Sequence, residues 1–544
     1  MKNRQNLSAM HFPALLENNR QKFGDRSALG FDQETYLSYA EVHKAIQANQ
    51  VRLKKHGIQP GDKVAVFAAN SPQWGIAYFA IVSMGAIVVP MIAELEQHEI
   101  DTILEHSESK AIFASQRLME KVHKTNANSL KERIVLDNIL SDVQHSEEAK
   151  AYDMSIVNED DLAAILYTSG ATGTPKAVML THGNLITNTI QGDIVQPGNE
   201  NDRFLSVLPL AHTYENTLGL LLPTLNGSCV TYLRKLPTAT VLLPAMKRVK
   251  PTFMLTVPLI IEKVTRKKVF AKFEKGGIIT ALYKIRPIQF LLHRIAGKKI
   301  YEAFGGHLKF FGIGGAKVDK KVEQFLRDAK FPYAIGYGLT ETAPLSAGSN
   351  PEFTNLQSTG PSVEGVDIKI SNGEHGGTPG EILIKGPNVM KGYYKNPELT
   401  AEVFTSDGYF RSGDLGEFDN AGNLFLKGRS KNMILGSNGE NIYPEDIESL
   451  INNFSFVTES IVVERKGKLV ALVHFDKSEI EDKFQNFKDD IQAIVEKKLD
   501  ELSEELQQFV NSKVNKHSRL QTIVVHATEF EKTATRKIKR FKYA

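Results

Sequence analysis

Residues 167–176 read Tyr-Thr-Ser-Gly-Ala-Thr-Gly-Thr-Pro-Lys. Small residues let a backbone come close to a phosphate, and their N–H groups can point at its oxygens. Gly170 and Gly173 supply the room, Thr168, Ser169, Thr172 and Thr174 supply hydroxyl donors, and Lys176 supplies charge. The segment is a candidate polyphosphate loop. It is not the common nucleotide loop, G-x-x-x-x-G-K-[ST], whose last hydroxyl holds magnesium. Counted from Gly170, Pro175 stands where the second glycine belongs and Ala177 where the hydroxyl belongs. A P-loop kinase or ATPase fails at both positions. The plain alternative is a small-residue turn between two strands.

The flanking pattern suits either case. Leu162–Leu166 is an apolar run of strand length, and Ala177–Leu180 is another, ended by a polar break at 181–184. Upstream, Lys63–Ala68, Ala86–Pro90 and Ala111–Ala114 read as strands, with helices over Gln73–Met84 and Glu96–His106. Strand–helix alternation at this pitch predicts parallel β/α layers. A second such set spans Arg203–Ile313. Between about 350 and 430 glycines, prolines and short alternating runs (Val366–Ile370, Gly380–Ile384) predict an antiparallel, barrel-like section. After Lys431 a small α+β unit is expected: strands Ser460–Glu464 and Leu469–Phe475, a charged helix within 478–510, and strand Thr522–His526.

The same chain carries further motifs, in order. Gly312-Ile313-Gly314-Gly315-Ala316 precedes Tyr337-Gly338-Leu339-Thr340-Glu341. Gly380-Glu381-Ile382 runs on to Gly392-Tyr393-Tyr394, and Tyr409-Phe410-Arg411-Ser412-Gly413-Asp414 follows. Gly428-Arg429-Ser430-Lys431, Gly439-Glu440-Asn441-Ile442-Tyr443-Pro444 and Lys532-Thr533-Ala534-Thr535-Arg536-Lys537-Ile538 complete the set. With the 167–176 loop, these motifs resemble the adenylate-forming acyl-CoA synthetases and their relatives, from about residue 20 to 542. Their wording is most similar to the medium- and long-chain fatty acid–CoA ligases.

The resemblance implies an α/β fold. Residues 1–430 would form a large N-terminal domain, two parallel β/α subdomains plus the barrel-like section, and residues 431–544 a small mobile lid hinged at Lys431. It implies a reaction in two halves. A carboxylate attacks the α-phosphate of ATP, pyrophosphate leaves and an acyl-adenylate forms; the thiol of coenzyme A then takes the acyl group and AMP leaves. By the same resemblance Thr340 donates to the α-phosphate and Glu341 holds Mg2+, a hard cation suited to carboxylate and phosphate oxygens. Asp414 binds the ribose diol, Arg429 reaches the same hydroxyls or the α-phosphate, Gly314, Gly315, Ala316 and Tyr337 flank adenine, and Gly338 belongs to the same ATP/AMP-binding set. Lys537 neutralises charge on the α-phosphate and carboxylate oxygens. Arg536 stands where glycine often precedes that lysine, so Lys539 competes for the role and register favours Lys537. Gly439 would leave room for the pantetheine arm. Lys537 is also a candidate for acetylation, which removes its charge.

Pro209-Leu210-Ala211-His212-Thr213-Tyr214-Glu215 resembles the acyl-pocket motif, with His212 and Tyr214 as lining or gating residues. The apolar stretch Thr217–Leu225 suits an aliphatic tail and carries no charge to pair with an amino-acid ammonium. Residues 263–299 hold eleven lysines and arginines against one acid, Glu274, with apolar residues interleaved. This reads either as peripheral contact with an anionic membrane or as ordinary helices with a lysine-rich outer face. The alternative is an acyl-adenylate former that loads a carrier-protein thiol in place of coenzyme A or activates another carboxylic acid, and the oligomeric state is open. A non-catalytic binder would show broken catalytic positions, yet Thr340, Glu341, Asp414, Arg429 and Lys537 are all present.

Length and composition agree. A chain of 544 residues exceeds the size at which one core stops growing, about 250–300 residues. A single cysteine, Cys229, excludes an internal disulfide framework and suits a reducing, cytoplasmic setting, at most peripheral at the inner face of the membrane. No stretch approaches the length of a membrane span. The net charge of +3 gives no reason to expect nucleic acid.

Overall fold

The computed structural model describes residues 7–141, 149–168, 176–273, 278–371, 379–435, 441–465, 467–477, 480, 491–532 and 538–543. Two large sheets dominate it. The first has seven strands. Leu162–Thr168, Ile87–Met91, Lys63–Phe67, Ala111–Ala114 and Glu132–Val135 run parallel in that order, and Lys176–Thr181 and then Gly392–Tyr393 extend it antiparallel from Leu162–Thr168. The second has eight. Tyr333–Gly338, Phe310–Ile313, Phe253–Thr256, Arg203–Leu205, Cys229–Tyr232 and Ser27–Phe31 are parallel, flanked by antiparallel Leu345–Gly348 and Leu37–Ser38. The central strands are apolar on both faces because helices cover both.

Two helices illustrate how the layers form. Pro72–Val82 starts where the Ser71 hydroxyl accepts from the Trp74 N–H, with proline in its first turn, and nearly every residue is buried. Its Trp74 and Tyr78 rings stack 5.5 Å apart. His182–Val195 begins at a capping box, Thr181 accepting from the Asn184 N–H while Asn184 accepts from the Thr181 N–H. The polar break read at 181–184 is therefore a helix start, and this helix too is buried along most of its length. One apolar cluster runs from Phe12 to Phe410 and joins the two layers.

The section expected to be barrel-like is a four-stranded antiparallel sheet in the order Asp367–Ile370, Gly380–Lys385, Phe410–Phe418, Leu424–Arg429. Beyond it lie the short pair Ile434–Leu435 and Asn441–Ile442, and a three-stranded sheet of Val457–Arg465, Lys468–Phe475 and Thr522–Val525. Helix Pro444–Ile451 and helix Ile491–Asn511 pack on that sheet over a core of their own, with Ile447, Ile451, Val473, Leu502 and Leu506 buried. Cys229 lies half-buried in a strand of the second large sheet, and desolvation pushes its thiol up. Among the described residues no helix is long and apolar enough to cross a membrane.

Candidate active site

Ligands of open α/β sheets sit outside the carboxyl ends of the parallel strands. The motif residues collect there. Thr168 ends one strand of the first sheet, and Lys176 faces it as its antiparallel partner. Gly314, Gly315 and Ala316 follow strand Phe310–Ile313, and Tyr337 and Gly338 end strand Tyr333–Gly338. Gly338 answers to packing: a Cβ there would lie 1.8 Å from the Pro344 carbonyl oxygen, so only glycine lets the hairpin close. Thr340 and Glu341 occupy the 3-10 turn Thr340–Thr342. That turn is held from several sides. The Asn388 amide donates to the Thr342 carbonyl at 2.9 Å, the Met390 N–H donates to the Glu341 carbonyl at 2.8 Å, and the Thr217 hydroxyl donates to the Ala343 carbonyl at 2.8 Å.

Two polar clusters result. In one, the Tyr337 hydroxyl donates to Asp414 Oδ2 at 2.9 Å, and Arg429 Nε lies 2.9 Å from Asp414 Oδ1. Asp414 and Arg429 are cross-strand partners in the antiparallel sheet, so the register itself makes the pair. Asp414 is buried while Arg429 is exposed, leaving the guanidinium reachable by a ligand. Burial and the Asp414 charge raise the Tyr337 phenol well above its ordinary range, so it remains a donor.

In the other cluster, the Tyr393 hydroxyl donates to Glu341 Oε1 at 2.8 Å. Lys176 Nζ lies 3.5 Å from the same hydroxyl and 4.9 Å from the Tyr393 ring centre. Burial lowers the Lys176 pKa; Glu341 opposes the shift, and the positive charges of Lys431 and Arg429 add to it. Three cations, Lys176, Arg429 and Lys431, thus act on one region together with the carboxylates of Glu341, Glu402 and Asp414. Lys431 sits exposed in the turn Ser430–Asn432 directly after Arg429. Tyr393 was not singled out from the sequence. The signal lay in its motif, where Gly392 adopts a φ of +141° against Thr400 and turns an aromatic hydroxyl toward an acid.

The other half of the candidate site is different in kind. A cavity is walled by Phe204, Leu218, Leu222, Phe253, Leu255 and Phe310, together with Tyr214 and the glycines 192, 312, 336 and 348. Its water-sized core is about 40 Å3. Apart from the Tyr214 phenol it has no ionisable side chain. Tyr214 lines this cavity and packs against the end of strand Phe310–Ile313 and the turn after it. A Cβ at Gly312 would stand 3.0 Å from its hydroxyl, and one at Gly314 3.1 Å from its ring. His212 takes the N-cap position of helix Thr213–Asn216, two residues before Tyr214, and is not part of the cavity wall. Phe253, Phe310 and Gly192 of the wall carried no motif and were not singled out.

Of the remaining expected residues, Ser169, Gly170, Thr172, Gly173 and Thr174 of the loop, Gly439 and Lys537 lie outside the described residues. Lys532 and Ile538, on either side of 533–537, form an antiparallel bridge, and Lys532 Nζ binds Glu459 at 2.8 Å and Glu529 at 2.9 Å.

Comparison with known proteins accords with this geometry. Residues 16–394 match the family described as AMP-binding enzyme. Among curated proteins, the chain is 28% identical over 486 residues to a long-chain-fatty-acid–CoA ligase of Mycobacterium bovis, covering 82% of this chain and 78% of that protein. It is 27% identical over 565 residues to a chloroplastic long-chain-fatty-acid–[acyl-carrier-protein] ligase of Arabidopsis thaliana, covering 86% and 76%. Among solved structures, ATP-bound MatB from Rhodopseudomonas palustris shares the fold with a TM-score of 0.78 at 23% identity, over 98% of each chain. With the family matched over most of its length, the chain belongs to the AMP-binding enzymes.

Proposed function

We propose that this chain activates a medium- to long-chain fatty acid with ATP and passes the acyl group to coenzyme A. The observation that carries the proposal is a pair of unlike surfaces that share strand Tyr333–Gly338: on one side Tyr337 joins Asp414 and Arg429, in the region where Lys176 and Lys431 also bring positive charge, and on the other Ala334, Ile335 and Gly336 wall an uncharged apolar cavity. The first suits a polyphosphate, the second an alkyl tail.

In this reading the 168–176 segment holds the β- and γ-phosphates, with Lys176 as its charge. Thr340 donates to the α-phosphate. Arg429 and Asp414 take the ribose hydroxyls, and Tyr337 borders adenine opposite Gly314–Ala316. The carboxylate oxygen attacks the α-phosphorus, the bond to pyrophosphate breaks, and the positive groups stabilise charge that grows on the oxygens in the transition state. Lys537 supplies the charge nearest the reacting atoms. Among the described residues no three His, Cys, Asp or Glu groups gather into a metal site. A lone carboxylate at Glu341 fits Mg2+, which takes one or two protein carboxylates and fills its other positions with phosphate oxygens and water. The ion supplies charge neutralisation when bound. Residues 431–544 then turn about Lys431, withdraw Lys537 and bring the Gly439 region to the thiol arm; hinges absorb such changes at a few residues. The thiol attacks the acyl carbon and AMP leaves.

The test is carboxylate-dependent AMP formation from ATP across C2–C18 acids, with coenzyme A or a carrier protein as acceptor. AMP and acyl-CoA that peak between C10 and C18 are expected. Thioester formed only on the carrier protein would move the acceptor, and no turnover with any aliphatic acid would end the reading. Lys537→Ala is expected to lower AMP formation about 10²–10³-fold. An unchanged rate would shift that role to Lys539.

A further inference from the structure

The segment richest in positive charge also carries the most exposed apolar surface. Among the described residues fourteen large apolar side chains stand exposed, and seven of them fall between 259 and 295: Leu259, Ile279, Leu282, Ile285, Phe290, Leu291 and Ile295. Single exposed apolar residues are ordinary on any surface; half of them in one short stretch are not. The same stretch exposes Lys263, Lys267, Lys268, Lys272, Lys284, Lys298 and Lys299.

The arrangement is fixed from beneath. Helix Arg286–Ala303 buries His293, Gly297 and Ile300 along one face. His293 Nδ1 lies 2.8 Å from Asp328, its Nε2 lies 2.8 Å from the Tyr283 hydroxyl, and Arg286 binds Asp328 at 3.0 Å. A Cβ on Gly297 would stand 2.3 Å from the Ala329 Cβ, so the helix rests directly on its neighbour there. Leu291 and Ile295 are one turn apart, and Leu291 projects about 200° around the axis from His293. They cannot roll inward without breaking the buried set, and Lys298 and Lys299 continue the outer face one turn on.

We infer that this outer face, with Leu291 and Ile295 at its centre and the surrounding lysines at its rim, docks on an anionic lipid surface and inserts its apolar side chains there. A bilayer matches both properties at once: phosphate headgroups meet the ammonium groups and the acyl boundary takes the aliphatic ones. Eleven basic groups against one acid over 263–299 make a second copy of the same face a repulsive partner. Helix Pro258–Thr265, which carries the exposed Leu259, directly follows strand Phe253–Thr256, whose Phe253 and Leu255 line the apolar cavity. The delivery of fatty acid by this route rests on the proposed activity; the docking itself does not.

The test is flotation of the full chain with vesicles of phosphatidylglycerol and phosphatidylcholine, without ATP. Binding is expected at low salt, weakened and not abolished at about 0.5 M, because salt screens the lysines and leaves the inserted side chains. Leu291→Asp with Ile295→Asp is expected to lower partitioning about 100-fold, and Lys298→Gln with Lys299→Gln about tenfold at low salt. Both variants are expected to melt like the parent and to form AMP normally from dissolved decanoate. No flotation of the parent at any salt, or undiminished flotation of the Leu291/Ile295 variant, overturns the inference. So does a parent dimer that this variant dissociates in the absence of lipid. Loss of AMP formation with flotation intact would instead count against the fatty-acid reading alone.

Discussion

Strand Tyr333–Gly338 borders both halves of the candidate site, and the halves are built in opposite ways. Tyr337 gives its hydroxyl to Asp414, while Ala334, Ile335 and Gly336 form part of the apolar wall. On the polar side Tyr337, Asp414, Arg429, Tyr393, Glu341 and Lys176 have named partners at 2.8–3.5 Å, and the positions follow from strand register and tight turns. On the apolar side no single contact decides anything. Shape is set by side chains that are missing, at glycines 192, 312, 336 and 348. A site of the first kind is sensitive to the loss of one atom pair, and a site of the second kind to the gain of one methyl group.

The largest expected effect falls on the polar side. Asp414→Ala removes the acceptor of Tyr337 and the partner of Arg429 together. Since Arg429 is exposed, water recovers part of its loss, and the buried phenol bears the rest. kcat/KM for ATP is expected to fall about 10²-fold, with the chain-length profile at saturating ATP unchanged. A profile that shifted with the nucleotide term would show that the halves are not separable.

The converse change is Gly192→Ala. Its Cβ would lie 2.5 Å from Leu218 Cδ2, the far end of a flexible side chain. Leu218 lines the cavity, so its easiest escape narrows the space for a tail. kcat/KM for the longest acids is expected to fall about tenfold relative to the shortest that turn over, while KM for ATP stays put. Competition between C16 and C8 acids in one reaction measures this. An equal loss on both would mean the helix moved and the wall did not.

This contrast explains what could be read from the chain. The strands of the first layer were legible because they are short apolar runs between turn signals: Lys63–Phe67 and Ala111–Ala114 lie where periodicity places them. Asp414, Arg429, Lys176 and Glu341 were legible because each sits in a contiguous motif whose local backbone aims it. Tyr393 escaped because its partners, Glu341 and Lys176, are 52 and 217 residues away in sequence. The cavity escaped for the same reason on a larger scale. Gly192, Phe204, Leu218, Phe253 and Phe310 come from five separate elements, and nothing local in any of them announces a wall. The 181–184 break was legible as a break but not as a helix start, because a capping box and a loop share the same residue types; what separates them is whether an amphipathic or fully buried helix follows.

Glu215 tests the seam between the halves with the smallest expected effect. It follows Tyr214, is 1% exposed, and touches the position where Gly219 would carry a Cβ, 2.8 Å from its carboxyl carbon. Ser206 and the backbone of Val207 and Leu208 draw its pKa down, yet burial outweighs them and pushes it up to about 8. The unfolded chain releases this proton near 4.5, so between that value and about 8 the folded state holds a proton the unfolded state has lost. Stability therefore falls as pH rises through this window, and levels off above it. Glu215→Gln keeps the shape and the carbonyl acceptor and cannot ionise. Its melting temperature is expected to exceed that of the parent by a few degrees at pH about 8.5 and to match it at pH about 4.5, a difference thermal melts resolve. A constant offset at both values would mean that the carboxyl ionises in place with hidden compensation, and that the apolar half tolerates a charge beside Tyr214 that its wall gives no sign of admitting.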